Sequence, residues 1–413
     1  MADNTSDDVR QEIDRVKAHA RKEAQPARSE NCLRKLERMN RTIRREEADR
    51  VPVGDFFWGS FLERWRRELG LPADTDIYQY YDLDWIVTIP NMDPHIRSFE
   101  FIKNTPEEVI VKTGYGATIR KDLHIPMPHF ESFEIDTIEK AEAFEFDDPR
   151  DDRRFFASGD NQLAGVGDGF TTNTPPWVET VRSLYPDFPV YGSVCEPQEQ
   201  AWRMIGSERM MLWMGLFPER MGSFLRRVGD FNVELVRAEI EAANGMLDGM
   251  VIWGDIAYVN GMLFSPDYWR EYYKPCVQKI CDVCKSYGIP VIYHSDGNAT
   301  VIYEDLIEAG IDAYNPLEAK AGLDVVDLKP QWGDRLSFCG NMDVMKWAEL
   351  PMDELKAYVL RKLNAGKGGG FIFQSDHSVP ASVSGERYDY VIKLVREYGT
   401  YPLQLGEYDE DIS

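Results

Sequence analysis

IPVIYHSDGN, residues 289–298, is the stretch on which the fold turns. Its apolar, β-branched run is too short for a helix. Gly288 and Pro290 punctuate it in front and Gly297 behind, so it reads as a buried strand. The strand ends on His294 and Asp296, two residues apart, just before a turn. Both side chains can bind a metal or move a proton. Asp296 and Asn298 can equally make a turn with nearby backbone, with His294 a satisfied polar residue beside them. The sequence on either side decides between these readings.

Six further runs have the same form: VPVGDFF (51–57), FPVYGSV (188–194), GMVIWGDI (249–256), IDAYNPLE (311–318), RLSFCGN (335–341) and GGFIFQSD (369–376). Amphipathic segments at 207–243, 265–288 and 351–366 lie between them. Strands alternating with helices call for parallel pairing, with helices covering the sheet. Seven such strands predict an α/β fold, a single TIM-like (β/α)8 barrel with an N-terminal helical extension. The chain divides accordingly: 1–50 as the helical extension, 51–400 as the barrel with an irregular, hairpin-containing insertion around 95–190, and 401–413 as an acidic C-terminal tail.

Composition sets limits. The 413 residues are 43% hydrophobic and carry a formal net charge of −24. That charge argues against nucleic acid and anionic membrane as partners. Without an apolar run of membrane-spanning length or an apolar signal core, a cytoplasmic location is expected. The acidic runs at 145–152 and 407–413 read as solvated. The N-terminal helices are expected to pack on the main body, with a subunit contact in a homodimer as one use for them.

In a barrel the C-terminal strand ends share one mouth. Those ends are Asp255, His294, Asp296, Glu318, Cys339, Asn341, Asp343, Asp376 and His377. Taken singly, Glu318 can cap a helix, Cys339 can be a small core residue, and His377 can bond locally. Together His294, Glu318, Cys339 and His377 offer N, O and S donors from four consecutive strands, a set suited to Zn²⁺. Asp255 either orients substrate or caps the next segment. Phe57 and Trp58 lie in an aromatic first unit that is mostly core and has the right chemistry to line a substrate pocket. Cys281 and Cys284 form a lone CxxC at helical spacing and read as buried helix-face residues. GKGGGF (366–371) precedes a strand, so it reads as a tight helix-to-strand turn and not a phosphate loop.

HSDGN, DLIEAGIDAYNPLEAKAGLDVVDLK and LSFCGNMD resemble the uroporphyrinogen decarboxylase-like superfamily, and EEADRVPV and GGFIFQSDHSVP are similar to its opening and closing stretches. The resemblance implies a barrel with its site at the mouth. It offers two chemistries: tetrapyrrole decarboxylation, or zinc-dependent methyl transfer with a corrinoid carrier protein. The decarboxylases have an Arg-rich stretch after the first strand. Here GDFFWGSFLERW (54–65) is aromatic, which leaves the carboxylates of a tetrapyrrole unpaired. In the methyltransferase branch His294 matches the His of a His-x-Cys, and Glu318 matches the acidic ligand. Asp296 stands where a Cys is usual, and Asp376 and His377 stand where the late Cys falls. An O/N-rich set makes a harder Lewis acid, better suited to polarising an ether or alcohol oxygen than to carrying a thiolate. The resemblance therefore implies a metal-dependent methyltransferase. Taken with the strand ends, His294, Asp296 and Asp255 are expected to be catalytic, and the Zn²⁺ ligands are expected among His294, Glu318, Cys339 and His377, with Asp296, Cys339 or His377 completing the pair His294 and Glu318. Phe57, Trp58, Asn341 and Asp376 are expected against a small O- or N-methylated donor. The methyl group is expected to pass between that donor and a corrinoid on a partner protein. A uroporphyrinogen decarboxylase-type enzyme and a non-catalytic tetrapyrrole- or corrinoid-binding barrel are the alternatives.

Overall fold

Six of the seven apolar runs are strands in the computed structural model, which describes residues 6–122, 128–161 and 170–411. Residues 123–127 and 162–169 of the expected insertion, and the last two of the acidic tail, lie outside the described residues. The chain is an α/β protein that divides into two units. The first comprises Met1–Ser29, Val87–Trp253 and Tyr268–Ile289, and the second Glu30–Ile86, Gly254–Asp267 and Pro290–Ser413. The helix Asp7–Lys22 thus belongs with the first unit and the helix Glu30–Ile43 with the second.

The first unit holds an antiparallel sheet of β1 (Glu100–Asn104), β2 (Glu108–Lys112), β3 (Ala117–Asp122) and β4 (His129–Phe133), paired in chain order. It also holds the parallel pair β5 (Val190–Cys195) and β6 (Gly249–Trp253). Every residue of β5 is buried, as a parallel strand covered on both faces requires. Gly249 is there for space: a Cβ would lie 2.1 Å from the Tyr191 ring on the neighbouring strand. The helix Lys274–Ser286 buries Cys276, Cys281 and Cys284 as free thiols. The acidic run at 145–152 is not simply solvated. Asp147 accepts the Ile96 amide at 2.8 Å, and Asp152 pairs with Lys17.

The second unit holds four parallel strands: β7 (Val291–His294), β8 (Ala313–Leu317), β9 (Ser337–Met342) and β10 (Phe371–Ser375). Residues 51–57 run beside β10 without becoming a full strand, through two isolated parallel bridges, Val53 to Phe373 and Phe57 to Val379. Pro52 has no N–H to give to β10, and on the side away from β10 the Val53 amide is taken by Asp84 at 2.6 Å. Asp84 is fully buried and also binds Arg38 and Arg50, which hold its carboxyl below the ordinary range against the effect of burial.

The glycine-rich turn before β10 has Gly368, Gly369 and Gly370 at φ of +70°, +80° and +71°. Its inward carbonyls are gathered by the Lys329 ammonium, which donates to Ala365 at 2.9 Å, Lys367 at 3.2 Å and Gly369. The tail docks on the same turn: Asn364 donates to the Tyr408 carbonyl and accepts the Glu410 amide. Among the described residues no helix is long and apolar enough to cross a membrane.

Candidate metal centre

β7 delivers His294 as its last residue, and the turn that follows is clamped from three directions. The Ser295 amide donates to the Asn315 carbonyl at 2.8 Å, and the Tyr314 hydroxyl donates to the Ser295 carbonyl at 3.0 Å. The Ser295 hydroxyl oxygen accepts the Ile256 amide at 3.1 Å. Gly297 follows at φ +78°, where a Cβ would lie 2.4 Å from the Tyr258 backbone nitrogen. Opposite this turn, Gly254 donates its amide to the His294 carbonyl at 2.8 Å, and Asp255 follows at φ +45°. That is a left-handed conformation which few residues other than Gly, Asn and Asp adopt readily.

This backbone brings one donor atom each from Asp255, His294 and Asp296 within 4.8 Å of one another. His294 Nε2 lies 3.6 Å from Asp255 Oδ1, and the Asp296 amide donates to the same oxygen at 3.2 Å. His294 Nδ1 faces Asn315 Oδ1 at 2.7 Å, an acceptor, a pairing that favours the tautomer with its proton on Nδ1 and its lone pair on Nε2. Asp296 Oδ2 lies 3.4 Å from His377 Nε2, while Asp296 Oδ1 is enclosed and has no hydrogen-bond partner. Burial works to raise the Asp296 carboxyl. The bond to His377 and the positive charges of His377 and Lys320 act against it, so the group stays ionised below the ordinary range. The bond to Asp296 in turn lifts His377 to about 9, against its burial.

A buried anionic oxygen without a partner is costly unless something positive meets it. Two carboxylates and an imidazole nitrogen brought together in this way are a donor set that fits a divalent cation. Asp255, His294 and Asp296 would hold it.

The other expected residues divide. Glu318 is buried next to the turn, accepting the Gly297 amide at 2.8 Å and pairing with Lys320 at 2.7 Å. His377 touches Asp296 and lies under Trp58, with ring centroids 6.3 Å apart and planes at 18°. Cys339 is fully enclosed and lies against the Asn315 amide, and burial pushes its thiol well up. It stands behind His294 and does not join the converging triad. Asn341, expected to face substrate, is instead completely buried. Its amide donates to the Leu317 and Leu323 carbonyls and accepts from Val325 N and Lys362 Nζ. Asp376 likewise accepts the Ala319 and Val344 amides at 3.0 Å each, and burial lifts it to about 6.

Phe57 also departs from expectation, packing against Phe61, Tyr78 and Tyr388. Its neighbour Phe56 meets His294 edge-on at 6.5 Å. Successive side chains of an extended segment point to opposite sides, so one residue decides which ring reaches the site. Sequence reasoning passed over Asn315, Gln374, Lys320 and Asp55. Asn315 and Glu318 share the run NPLE, and the alignment of Asn315 with His294 across two parallel strands was the available signal.

The uroporphyrinogen decarboxylase (URO-D) family profile matches residues 171–398, more than half of the chain. The chain belongs to the URO-D family. Among curated relatives, a uroporphyrinogen decarboxylase of Hydrogenovibrio crunogenus is 27% identical over 186 residues, 44% of this chain and 49% of that protein. One from Thermus thermophilus is 29% identical over 170 residues, 39% of this chain and 44% of that protein. The chain thus spans about half the length of the curated relatives it matches. Among solved structures, a methyltransferase from Methanosarcina mazei has a TM-score of 0.58 at 17% identity, covering 88% of this chain and 98% of that one. That likeness places the URO-D chain in the same α/β fold.

Proposed function

We propose that this URO-D-family protein is a metal-dependent methyltransferase, with its parallel strands part of one (β/α)8 barrel. It would move a methyl group between a small O- or N-methylated compound and a corrinoid on a partner protein. The observation that carries the reading is the convergence of one donor atom each from Asp255, His294 and Asp296 within 4.8 Å, together with an enclosed Asp296 Oδ1 that has no hydrogen-bond partner. A Zn²⁺ or similar cation bound there supplies Lewis acidity toward the oxygen or nitrogen that loses the methyl group. The chain's own residues do the rest. Asp255 and Asp296 compensate the positive charge, Asn315 orients His294, and Trp58 and Phe56 form an apolar wall for the donor's body. Trp58 presents an aromatic face suited to a methylated cationic or flat group.

Against tetrapyrrole decarboxylation stands the chemistry of residues 54–65. Arg64, the first basic residue there, is committed to Glu68 at 2.6 Å and to the Ala381 carbonyl at 2.5 Å. No guanidinium of that segment is left to pair a polycarboxylate.

The test is metal analysis of the purified protein, followed by methylation of added cob(I)alamin with methoxylated and methylamine donors. About one divalent ion per chain is expected, with methyl transfer abolished by a chelator and by His294→Gln. Chelator-insensitive release of carbon dioxide from uroporphyrinogen would reverse the assignment.

A further inference from the structure

Behind His294 lies a buried polar row that the proposed chemistry does not by itself require. Asn315, on β8, is 1% exposed, and Gln374, on β10, is 2% exposed. Asn315 is the register partner of His294. Its Oδ1 faces His294 Nδ1 at 2.7 Å, and its Nδ2 donates to Gln374 Oε1 at 3.1 Å. The row therefore starts on β7 and reaches β10, passing Cys339 on β9, whose thiol lies against the same amide.

We infer that Asn315 and Gln374 are positioning residues: a two-amide relay that fixes the proton of His294 on Nδ1 and so keeps Nε2 available as a ligand. An amide has a donor end and an acceptor end. If Asn315 alone were reversed, its NH2 would face His294 and its oxygen would oppose Gln374 Oε1, acceptor against acceptor in a dry interior. The two amides keep their direction together. With the opposite tautomer, Nε2–H would point at Asp255 and donate to it, and the triad would lose its nitrogen donor. Partners of this kind hold ligand histidines in their binding tautomer, and their removal costs ~10–100-fold in metal affinity.

The inference deepens the metal reading and rests on it for its purpose, but its measurement does not need metal. The full-length protein, labelled with ¹⁵N-histidine and free of metal, is read by two-bond ¹H–¹⁵N spectra, with His294→Gln identifying the signal. The wild type is expected to show the Nδ1–H form. Gln374→Glu retains the acceptor that Asn315 Nδ2 donates to and should keep the Nδ1 proton and near-wild-type Zn²⁺ affinity in a chelator competition. Asn315→Leu and Gln374→Leu should shift His294 toward Nε2–H and weaken Zn²⁺ binding ~10–100-fold. If Asn315→Leu does not fold, Gln374→Leu carries the same comparison. Nε2–H in the wild type, or unchanged tautomer and affinity in the leucine variants, would overturn the relay. A wild type that shows Nδ1–H and binds no metal would leave the relay standing and remove the proposed function instead.

Discussion

Two groups of polar residues end strands in the second unit, and they differ in what their lone pairs meet. At the end of β7, Asp296 keeps one oxygen enclosed without a hydrogen-bond partner, and it shares a cluster of donor atoms with Asp255 and His294. At the ends of β9 and β10, Asn341 and Asp376 have both polar ends bonded to backbone or to a buried lysine. By residue type the two groups look alike. Committed groups hold a fold together, and an uncommitted buried group stores interaction energy for something that arrives later.

The largest expected effect is on the committed side. Asn341→Leu takes this partner from two buried carbonyls and the Val325 amide, leaves Lys362 with Asp324 alone, and should cost ~3–5 kcal/mol in urea unfolding. An unchanged midpoint would dissolve the contrast.

Asp55 extends the same test to pH. Its buried carboxyl meets Ser375 Oγ, Tyr388 Oη at 3.1 Å and the Phe56 amide at 3.1 Å, yet burial dominates and lifts it from 3.8 to about 7. The native state therefore holds a proton between about pH 4 and 7 that the unfolded chain has released, so this group's stabilisation falls as pH rises through that window. Across the whole window the loss amounts to roughly 4 kcal/mol at most. Relative to Asp55→Asn, the wild type should lose stability between pH 4 and 7 and run parallel above it. Parallel curves throughout would mean the carboxyl is ionised in the native protein.

On the uncommitted side, Asp296→Asn should keep the fold within ~1 kcal/mol and weaken metal binding ~100-fold, about 2.7 kcal/mol. Calorimetric titration with Zn²⁺ reads the second number and thermal unfolding the first. A variant that unfolds while still binding metal would place Asp296 with Asn341. The smallest effect belongs to Trp58→Ala, which removes the face over His377 and should raise the KM for the methyl donor several-fold, ~1 kcal/mol, with kcat nearly unchanged.

Much of the fold could be read directly because parallel strands covered on both faces leave unbroken apolar runs such as IPVIY and GGFIF. VPVGDFF has the same appearance but pairs with β10 only through isolated bridges, and Pro52 within it has no N–H to give. At the site, the pair His294 and Asp296 was visible in HSD, since residues flanking one turn stay close in space. Where Cys339 and Asn341 point, and which of Phe56 and Phe57 reaches His294, follows from strand register and from partners far along the chain. The amides of Asn315 and Gln374 are 59 residues apart in sequence and 3.1 Å apart in space. Periodicity carries no record of such a meeting.

Asp255, at φ +45°, bears on how this protein can change. A left-handed backbone taxes most side chains by ~1–2 kcal/mol and β-branched ones by more, while Asn and Gly enter at little cost. Of the three converging positions, this one has its repertoire filtered by conformation before chemistry is tried. Natural drift and laboratory libraries alike will sample acid, amide or nothing at 255, so new specificities should arise around that residue sooner than at it.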